Sequence, residues 1–402
     1  MPTVYIPHLL LPKAQYDPQK WAVIACDQFT SQREYWQALD ATCGPVSTLR
    51  LIYPEYYLSI EDEATRANRI DTIHATMQRY LDEDIFEPVN DFVLVERTLP
   101  TGGVRVGMMV AIDLEEYDFH PESAAHIRAT EATVESRLPV RIRIRDGAPL
   151  ELSHALMLVD DRTEGILEHL YAQRDAMPLL YDVELNMGGG HLRGYRVPQS
   201  EAVLDALTQL TEARDFRYAV GDGNHSIAAA KTYWQQIRSG LTAEEAAHHP
   251  ARYCTCELVN LNSDGLTFHP IHRVVYRVDH DTLIAAMKAH FHGTDILPVI
   301  HDGVRTDIPC DADATTVIEQ MAVFFRDFCS RYPDTQVDYI HGEEHLFHVA
   351  EHLGGVGILM PSMPKSALFP YVTEHGILPK KAFSLGEAEE KRYYMEAKRI
   401  RK

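Results

Sequence analysis

Apolar and polar positions along this chain follow two different periods, which together predict strands mixed with helices. Residues 21–26 and 253–260 are short apolar runs typical of buried strands. Residues 91–97 and 104–113 are expected to form two strands joined by a Gly-rich turn, which is a hairpin signal. Residues 60–82 carry apolar side chains at helical spacing. The pattern therefore predicts an α/β (mixed α+β) protein built on a mixed sheet.

The part of the chain beyond residue 277 has a pattern of its own. Helices are predicted over residues 279–291 and 316–332, and short strands over 337–339 and 345–350. These elements predict a C-terminal α+β lobe. We expect three regions, namely an N-terminal α/β region 1–145, a central region 146–277 and the lobe with a basic tail 278–402.

Composition narrows the classes of function. The chain has 402 residues, and its 38 Lys and Arg against 59 Asp and Glu give a formal net charge of -21. Such an acidic balance argues against nucleic-acid binding and against anionic membranes, because both rely on clustered cations. We find no signal peptide and no apolar run of about 18 residues, so a cytoplasmic protein is expected. The six cysteines are scattered, which favours free thiols.

A Gly-rich turn joins a predicted strand to a predicted helix at YAVGDGNHSIAAA, and it is the candidate site. Gly221 and Gly223 permit the positive φ values that such a turn requires. Asn224 or Ser226 would cap the helix. The backbone N–H groups at a helix start favour an anion. Turn chemistry alone explains the same residues, and that alternative stays open.

Three side chains are candidates for catalysis. Asp222 and His225 lie at the rim of the turn: Asp222 is a possible Mg²⁺ ligand or base, and His225 a phosphate donor or proton carrier. Asp27 ends another strand before a polar turn. Asp27 is equally well explained as a turn-forming residue.

Cations elsewhere in the sequence are candidates for holding phosphate. The basic segment 127–145 and the residues near 272 and 380 stand out in an acidic chain, and guanidinium groups bind oxyanions bidentately. For the arginines after Pro139 the alternative is internal ion pairing. For residues after Tyr394 a solvated terminal helix is expected. The candidates are Arg128, Arg137, His272, Arg273, Lys380 and Lys381, with Ser384 beside the lysines.

Several of these segments together resemble one family, the uncharacterised prokaryotic family known as domain of unknown function 1015. The resemblance lies in IRATEAT from residue 127 with Arg137, in AVGDGNHS from residue 219, in His272 with Arg273, and in the turn at Asp27. It covers most of the chain. The family is similar to the ParB and sulfiredoxin-like superfamily, which implies a strand-turn-helix phosphate site.

The resemblance implies roles for the residues of the turn. Gly223, Asn224 and His225 would contact phosphate, and Asp222 would act in catalysis or position a metal. The related pattern has Arg after the His, whereas this chain has Ser226, so the guanidinium would have to come from elsewhere. The segment before Asp27 also departs from the family pattern, and only Asp27 is carried over.

The sequence therefore predicts a nucleotide-dependent enzyme that transfers or hydrolyses a phosphoryl group on a small molecule. The expected cofactor is ATP, ADP or CTP with Mg²⁺. One alternative is a regulatory protein that binds a nucleotide without chemistry. Another is a metal-dependent hydrolase built on His225, His269 and His272. The oligomeric state is not readable from the sequence.

Overall fold

The computed structural model describes residues 2–401 and confirms the mixed α+β class. The strands, in chain order, are β1 (Val4–Tyr5), β2 (Leu9–Pro12), β3 (Val23–Ile24), β4 (Phe86–Val89), β5 (Val93–Thr98), β6 (Val104–Asp113), β7 (Tyr117–Asp118), β8 (Ile127–Ala129), β9 (Leu150–Leu152), β10 (Leu156–Val159), β11 (Leu179–Glu184), β12 (His191–Arg196), β13 (Tyr218–Asp222), β14 (Tyr253–Asn260), β15 (Phe268–Tyr276), β16 (Asp295–His301), β17 (Val304–Cys310), β18 (Gln336–His341), β19 (Val356–Ile358), β20 (Phe383–Leu385), β21 (Tyr393–Tyr394) and β22 (Ala397–Arg399).

The helices range from single turns to five turns. In chain order they are α1 (Pro18–Trp21), α2 (Arg33–Thr42), α3 (Glu55–Leu58), α4 (Glu63–Asp82), α5 (Leu138–Arg145), α6 (Ile166–Ala172), α7 (Ser200–Thr211), α8 (Asn224–Arg238), α9 (Ala243–Ala247), α10 (His280–His290), α11 (Ala314–Arg331), α12 (Glu343–Leu353) and α13 (Leu368–His375). Within residues 2–401, none of these helices combines the length and the apolar character that crossing a bilayer requires.

The chain forms two compact units. The first comprises Met1–Leu266 together with Ala388–Lys402, so that both ends of the chain belong to it. The second is the continuous stretch Thr267–Glu387. The three regions 1–145, 146–277 and 278–402 were expected from the sequence, and they stay a prediction.

The first unit is built on a ten-stranded mixed sheet. Its strand order is β11-β12-β5-β6-β14-β10-β13-β8-β7, with β1 paired to β6. The pairs β10–β14, β8–β13 and β7–β8 are parallel, and the other pairs are antiparallel. Strand β10 is buried along its whole length, and β6 and β14 along nearly all of theirs. Their mostly apolar sequences fit burial on both faces of the sheet.

Strand order places three chain segments at one edge of this sheet. Strand β13 lies between β8, which is parallel to it, and β10, which is antiparallel. Leu156 at the start of β10 is therefore opposite Asp222 at the end of β13. The residues just after β8, just before β10 and just after β13 meet at this edge. Helix α8 begins there and packs against α5.

The C-terminal segment is part of the first unit, where β21 pairs with β3 and β22 joins the four-stranded sheet β4-β2-β22-β9. The solvated helix expected after residue 394 is therefore wrong, since Ala397–Arg399 is a strand and Lys398 is buried. Its ammonium donates to Pro250 O at 2.8 Å and lies 3.5 Å from Glu151. These partners offset the cost of burying the charge, and they come from distant parts of the chain.

The second unit has a six-stranded sheet in the order β17-β16-β19-β15-β18, with β20 also paired to β15. The predicted helices over residues 279–291 and 316–332 are confirmed as α10 and α11. The strand predicted over residues 345–350 is wrong, because this segment lies within α12. Leu346 and Ala350, four residues apart, are its buried positions and pack with Val274. This is helical spacing, which the short apolar stretch did not reveal.

Candidate functional site

The turn between β13 and α8 is tight because of Gly223. Its φ is 82°, and a Cβ added there would lie 2.9 Å from Ala155 Cα. Glycine alone satisfies both conditions without strain. Gly221, in contrast, lies inside β13. The predicted strand-turn-helix is therefore present, and the helix begins directly at the edge of the sheet.

The start of α8 is not capped by a side chain. The expected caps Asn224 and Ser226 lie inside the first helical turn, and the N-cap residue is Gly223. Asn224 Oδ1 is buried and has no hydrogen-bond partner among the described residues. The first N–H groups of a helix carry partial positive charge. An uncapped start keeps that charge available to an anion.

Asp222 is held by a lysine from the C-terminal segment. Its Oδ1 accepts a hydrogen bond from Gly223 N at 2.8 Å, and its Oδ2 lies 3.3 Å from Lys391 Nζ. Burial raises the pKa of Asp222, but Lys391, His154 and the Gly223 N–H lower it more, so the pKa is held below its usual value. Asp222 is therefore an ionised carboxylate beside an ammonium group at a helix start.

A chain of hydrogen bonds starts at Ser226. Its Oγ lies 3.3 Å from His154 Nε2, and His154 Nδ1 lies 3.0 Å from the Tyr394 hydroxyl. The Tyr394 hydroxyl donates to Cys26 Sγ at 3.1 Å. Tyr394 has a single proton, so its oxygen accepts from His154 Nδ1–H. The Nε2 lone pair of His154 then faces the Ser226 hydroxyl.

Cys26 and Tyr394 are kept protonated by their surroundings. Burial, followed by the carboxylate of Asp27, raises the pKa of Cys26 to about 11. Burial also raises the pKa of Tyr394, with Cys26 and Asp27 adding to the effect. Asp27 therefore lies within electrostatic reach of this group, and its Oδ1 is buried with no hydrogen-bond partner among residues 2–401. At neutral pH the thiol is not an activated nucleophile.

Cys26, His154, Ser226 and Tyr394 line a cavity of about 140 Å³ in the first unit. Two arginines of α5 lie on its wall, and both are ion-paired: Arg141 with Glu55, and Arg145 with Glu151. The internal ion pairing considered for the arginines after Pro139 is thus observed. The polar residues of the cavity wall include Cys26, Arg141, Arg145, His154, Ser226 and Tyr394.

His225 connects the turn to the segment before α5. Its Nε2 accepts a hydrogen bond from Val134 N at 3.2 Å. Thr130 in the same segment donates to Val220 O at 2.6 Å. Arg137, three residues after Val134, is exposed. His225 therefore holds this segment against the helix start, and its Nε2 is engaged in doing so.

The structure does not bring Arg128 to the turn. Its Nε donates to Ala125 O at 2.8 Å, and its guanidinium carbon lies 4.9 Å from the centre of the Phe216 ring. Phe216 precedes β13, whereas Asp222 ends it. Burial lowers the pKa of Arg128. The guanidinium group therefore stabilises the other end of the strand.

Four predicted cations lie in the second unit. Arg273 is buried, donates to Lys381 O at 3.1 Å, and lies 4.5 Å from the Tyr339 ring centre. Burial lowers its pKa to about 10. His272 accepts a hydrogen bond from Met360 N at 3.1 Å. Lys380 lies 5.3 Å from the same Tyr339 ring. Their expected contact with phosphate stays a prediction, as does the metal hydrolase built on His225, His269 and His272.

Asp222 does not have the surroundings of a preformed magnesium site. Both of its oxygens already have partners, one of them Lys391. Among residues 2–401, the only cluster of three or more His, Cys, Asp or Glu with metal-ligand spacing lies elsewhere. Mg²⁺ on Asp222 would compete with the ammonium of Lys391. The Mg²⁺ assignment therefore stays a prediction.

Sequence reasoning missed His154, Lys391 and Tyr394. His154 stands 72 residues before Ser226, and Tyr394 stands 240 residues after His154. A lone His before a strand and a Tyr in a charged tail carry no local signal. Cys26 stands next to the predicted Asp27, and that adjacency was the one available clue.

A family model matches residues 10–393, and it is described as "Protein of unknown function (DUF1015)". The chain belongs to this family. The resemblance on which the sequence analysis relied is thereby confirmed. No curated protein matches the chain.

Comparison with solved structures finds matches at low similarity. One is a conserved hypothetical protein from Pyrococcus furiosus, with 11% identity and a TM-score of 0.36 over 71% of this chain and 93% of that one. Another is a free serine kinase in complex with AMP, with 12% identity and a TM-score of 0.36 over 71% and 90%. A third is SbnI with a C-terminal truncation from Staphylococcus aureus, with 11% identity and a TM-score of 0.28 over 59% and 82%. At these scores the likenesses carry no argument about activity.

Proposed function

We propose that the first unit is a nucleotide-dependent enzyme that transfers or hydrolyses a phosphoryl group, with its site at the turn after β13. The observation that carries this proposal is the position of Lys391. Its ammonium lies 3.3 Å from Asp222, at the uncapped start of a 15-residue helix. A cation, a carboxylate and a helix start side by side are the parts that phosphoryl transfer uses.

The phosphate would bind to backbone N–H groups at the start of α8, with Lys391 beside it. The neighbouring cavity of about 140 Å³ is smaller than the roughly 300–1,000 Å³ of pockets that enclose drug-sized ligands. It has room for a small phosphoryl acceptor or water. The nucleoside would lie outside the cavity, on the exposed side of the turn.

The chemistry needs only a proton acceptor and a counter-ion. The bond from the terminal phosphorus to its bridging oxygen breaks, and a bond forms to the hydroxyl oxygen of the acceptor or of water. Asp222, ionised by its neighbours, takes the proton from that hydroxyl. Lys391 neutralises the charge on the transferring group. His154, oriented by Tyr394, hydrogen-bonds Ser226 and fixes the wall of the cavity.

Several finer expectations belong to this proposal and stay predictions. They are the choice among ATP, ADP and CTP, the use of Mg²⁺, the cytoplasmic location and the distant ParB- and sulfiredoxin-like relation. The proposal rests on none of them.

The test is turnover measured by phosphorus NMR on the full chain with ATP, ADP or CTP, Mg²⁺ and a set of small hydroxyl compounds. Asp222→Asn should retain nucleotide binding and lose at least about 100-fold in rate, because it removes the proton acceptor. Asp205→Asn, an exposed position on α7, is the matched control and should keep the full rate.

Two outcomes would contradict the proposal. An unchanged rate in Asp222→Asn would remove the carboxylate from the mechanism. Nucleotide binding by the wild-type chain without any phosphorus-containing product would instead identify a regulatory protein that uses the same site as a switch.

A further inference from the structure

The second unit contains a group of three metal-ligating side chains that the proposed function does not use. His280 is the first residue of α10, His301 ends β16, and Asp302 follows in the turn to β17. His280 Nδ1 lies 3.3 Å from Asp302 Oδ2, and His301 Nδ1 lies 3.6 Å from the same oxygen. All three donor atoms lie within 4.8 Å of one another.

The hydrogen bonding of His280 fixes which of its nitrogens faces the group. His280 Nε2 donates to Gly354 O at 3.1 Å, because a carbonyl oxygen only accepts. In the neutral ring Nδ1 then carries no proton, and its lone pair is directed at the carboxylate oxygen of Asp302. Two lone pairs in contact repel unless a proton or a cation lies between them. A backbone carbonyl on the far nitrogen is also the usual outer partner of a metal-bound histidine.

His301 gives an independent observation. Its Nδ1 is buried and has no hydrogen-bond partner among the described residues. The two residues after it both have positive φ, 50° at Asp302 and 72° at Gly303, which makes a tight hairpin turn. This turn holds the Asp302 carboxylate against the ring of His301. The rings of His280 and His301 meet edge to face, with centres 5.7 Å apart.

The spacing fits one class of ion. Zinc binds nitrogen and oxygen at about 2.0–2.2 Å in tetrahedral sites, which puts neighbouring donor atoms about 3.3–3.5 Å apart. The observed 3.3 Å lies within this range, and the observed 3.6 Å is 0.1 Å above it. Two imidazoles with one carboxylate suit zinc and similar transition metals, whereas calcium and magnesium prefer oxygen.

We propose that His280, His301 and Asp302 bind a divalent transition-metal ion of the zinc class. Three protein ligands leave a fourth position, and His301 and Asp302 also line a cavity of about 550 Å³ together with Phe347 and Glu351. The fourth position therefore faces space that accommodates water or a small ligand. Asp302 is exposed, so an ion enters without opening the fold.

The test is calorimetric titration of Zn²⁺ into the full chain after removal of metals with a chelator. One ion per chain is expected at this site. His301→Ala should weaken binding more than about 100-fold and Asp302→Asn at least about tenfold, because each removes a ligand. His292→Ala, which removes an exposed histidine of the same unit, is the matched control and should bind as the wild type does.

Co²⁺ in place of Zn²⁺ identifies the ligands by absorption. We expect ligand-field bands of a nitrogen and oxygen site without a thiolate charge-transfer band. Asp302→Asn retains an exposed turn residue suited to positive φ, so the variant separates loss of a ligand from loss of fold. The proposal is overturned if the wild-type chain binds no Zn²⁺, if Asp302→Asn and His301→Ala bind it as tightly as the wild type, or if the Co²⁺ spectrum shows thiolate ligation.

Discussion

Arg392 anchors the C-terminal segment in the first unit, and its removal has a calculable cost. The side chain is 3% exposed and donates to Glu257 at 2.7 Å and to Glu396 at 2.6 Å. It also donates to Ser153 O at 2.8 Å and to Tyr393 O at 2.9 Å. A fifth hydrogen bond runs to Met109 Sδ at 2.8 Å. Arg392→Met keeps much of the apolar stem and removes all five hydrogen bonds.

The magnitude follows from the carboxylates that remain. Removing one partner of a buried ion pair costs about 3–5 kcal/mol, because the other charge stays buried. Arg105 remains 3.7 Å from Glu257, and Tyr181 still donates to Glu396 at 2.6 Å. We therefore expect a loss of about 3 kcal/mol in the free energy of unfolding.

The assay is urea unfolding followed by tryptophan fluorescence. The three tryptophans of the sequence, Trp21, Trp36 and Trp234, are all buried in the first unit, so the signal reports on that unit. Arg401→Met is the matched control. The Arg401 pair with Asp146, 3.4 Å long and largely exposed, is worth at most about 1 kcal/mol. If the two variants lose the same free energy of unfolding, or if Arg392→Met loses none, Arg392 does not anchor the C-terminal segment.

Three further predictions concern the candidate site. Gly223→Ala should lower the free energy of unfolding by about 1–3 kcal/mol through strain at positive φ, whereas Gly44→Ala, in open space, should be neutral by the same urea assay. The pKa of Asp222 is held low, so its stabilising effect is present above the unfolded pKa and is lost as pH falls through the folded value. In Lys391→Met the acid-side loss of stability should therefore begin at higher pH in a pH series of unfolding curves. Because burial raises the pKa of Cys26 to about 11, its alkylation at pH 7, followed by mass spectrometry, should be about two to three orders of magnitude slower than that of an ordinary exposed thiol, and the rate should rise up to that pH.

The strand-turn-helix at Gly223 was predictable because its cause is local. A glycine with positive φ, an apolar strand before it and a run of alanines after it specify the turn within about 15 residues of sequence. The mixed α+β class followed from the same kind of signal, since each periodic stretch of apolar residues corresponds to one helix or one strand.

The partners of that turn were not predictable, because strand order brings them together. His154 reaches Ser226 only because β10 pairs with β13, and Lys391 reaches Asp222 only because the C-terminal segment is part of the first unit. The many charged residues of the tail predicted a solvated helix. Lys398 is buried instead, since the carboxylate of Glu151, far along the chain, compensates its charge.

The most direct test of the proposed site is calorimetric titration of ATP, ADP and CTP, each with Mg²⁺, into the wild-type chain and Lys391→Met. We expect at least one nucleotide to bind the wild type, and Lys391→Met to weaken this binding by at least about tenfold, a loss of about 1.4 kcal/mol. Lys20→Met, which removes an exposed lysine of the same unit, should leave the affinity unchanged. Binding that is equal in all three proteins, or absent from the wild type, would contradict the central claim.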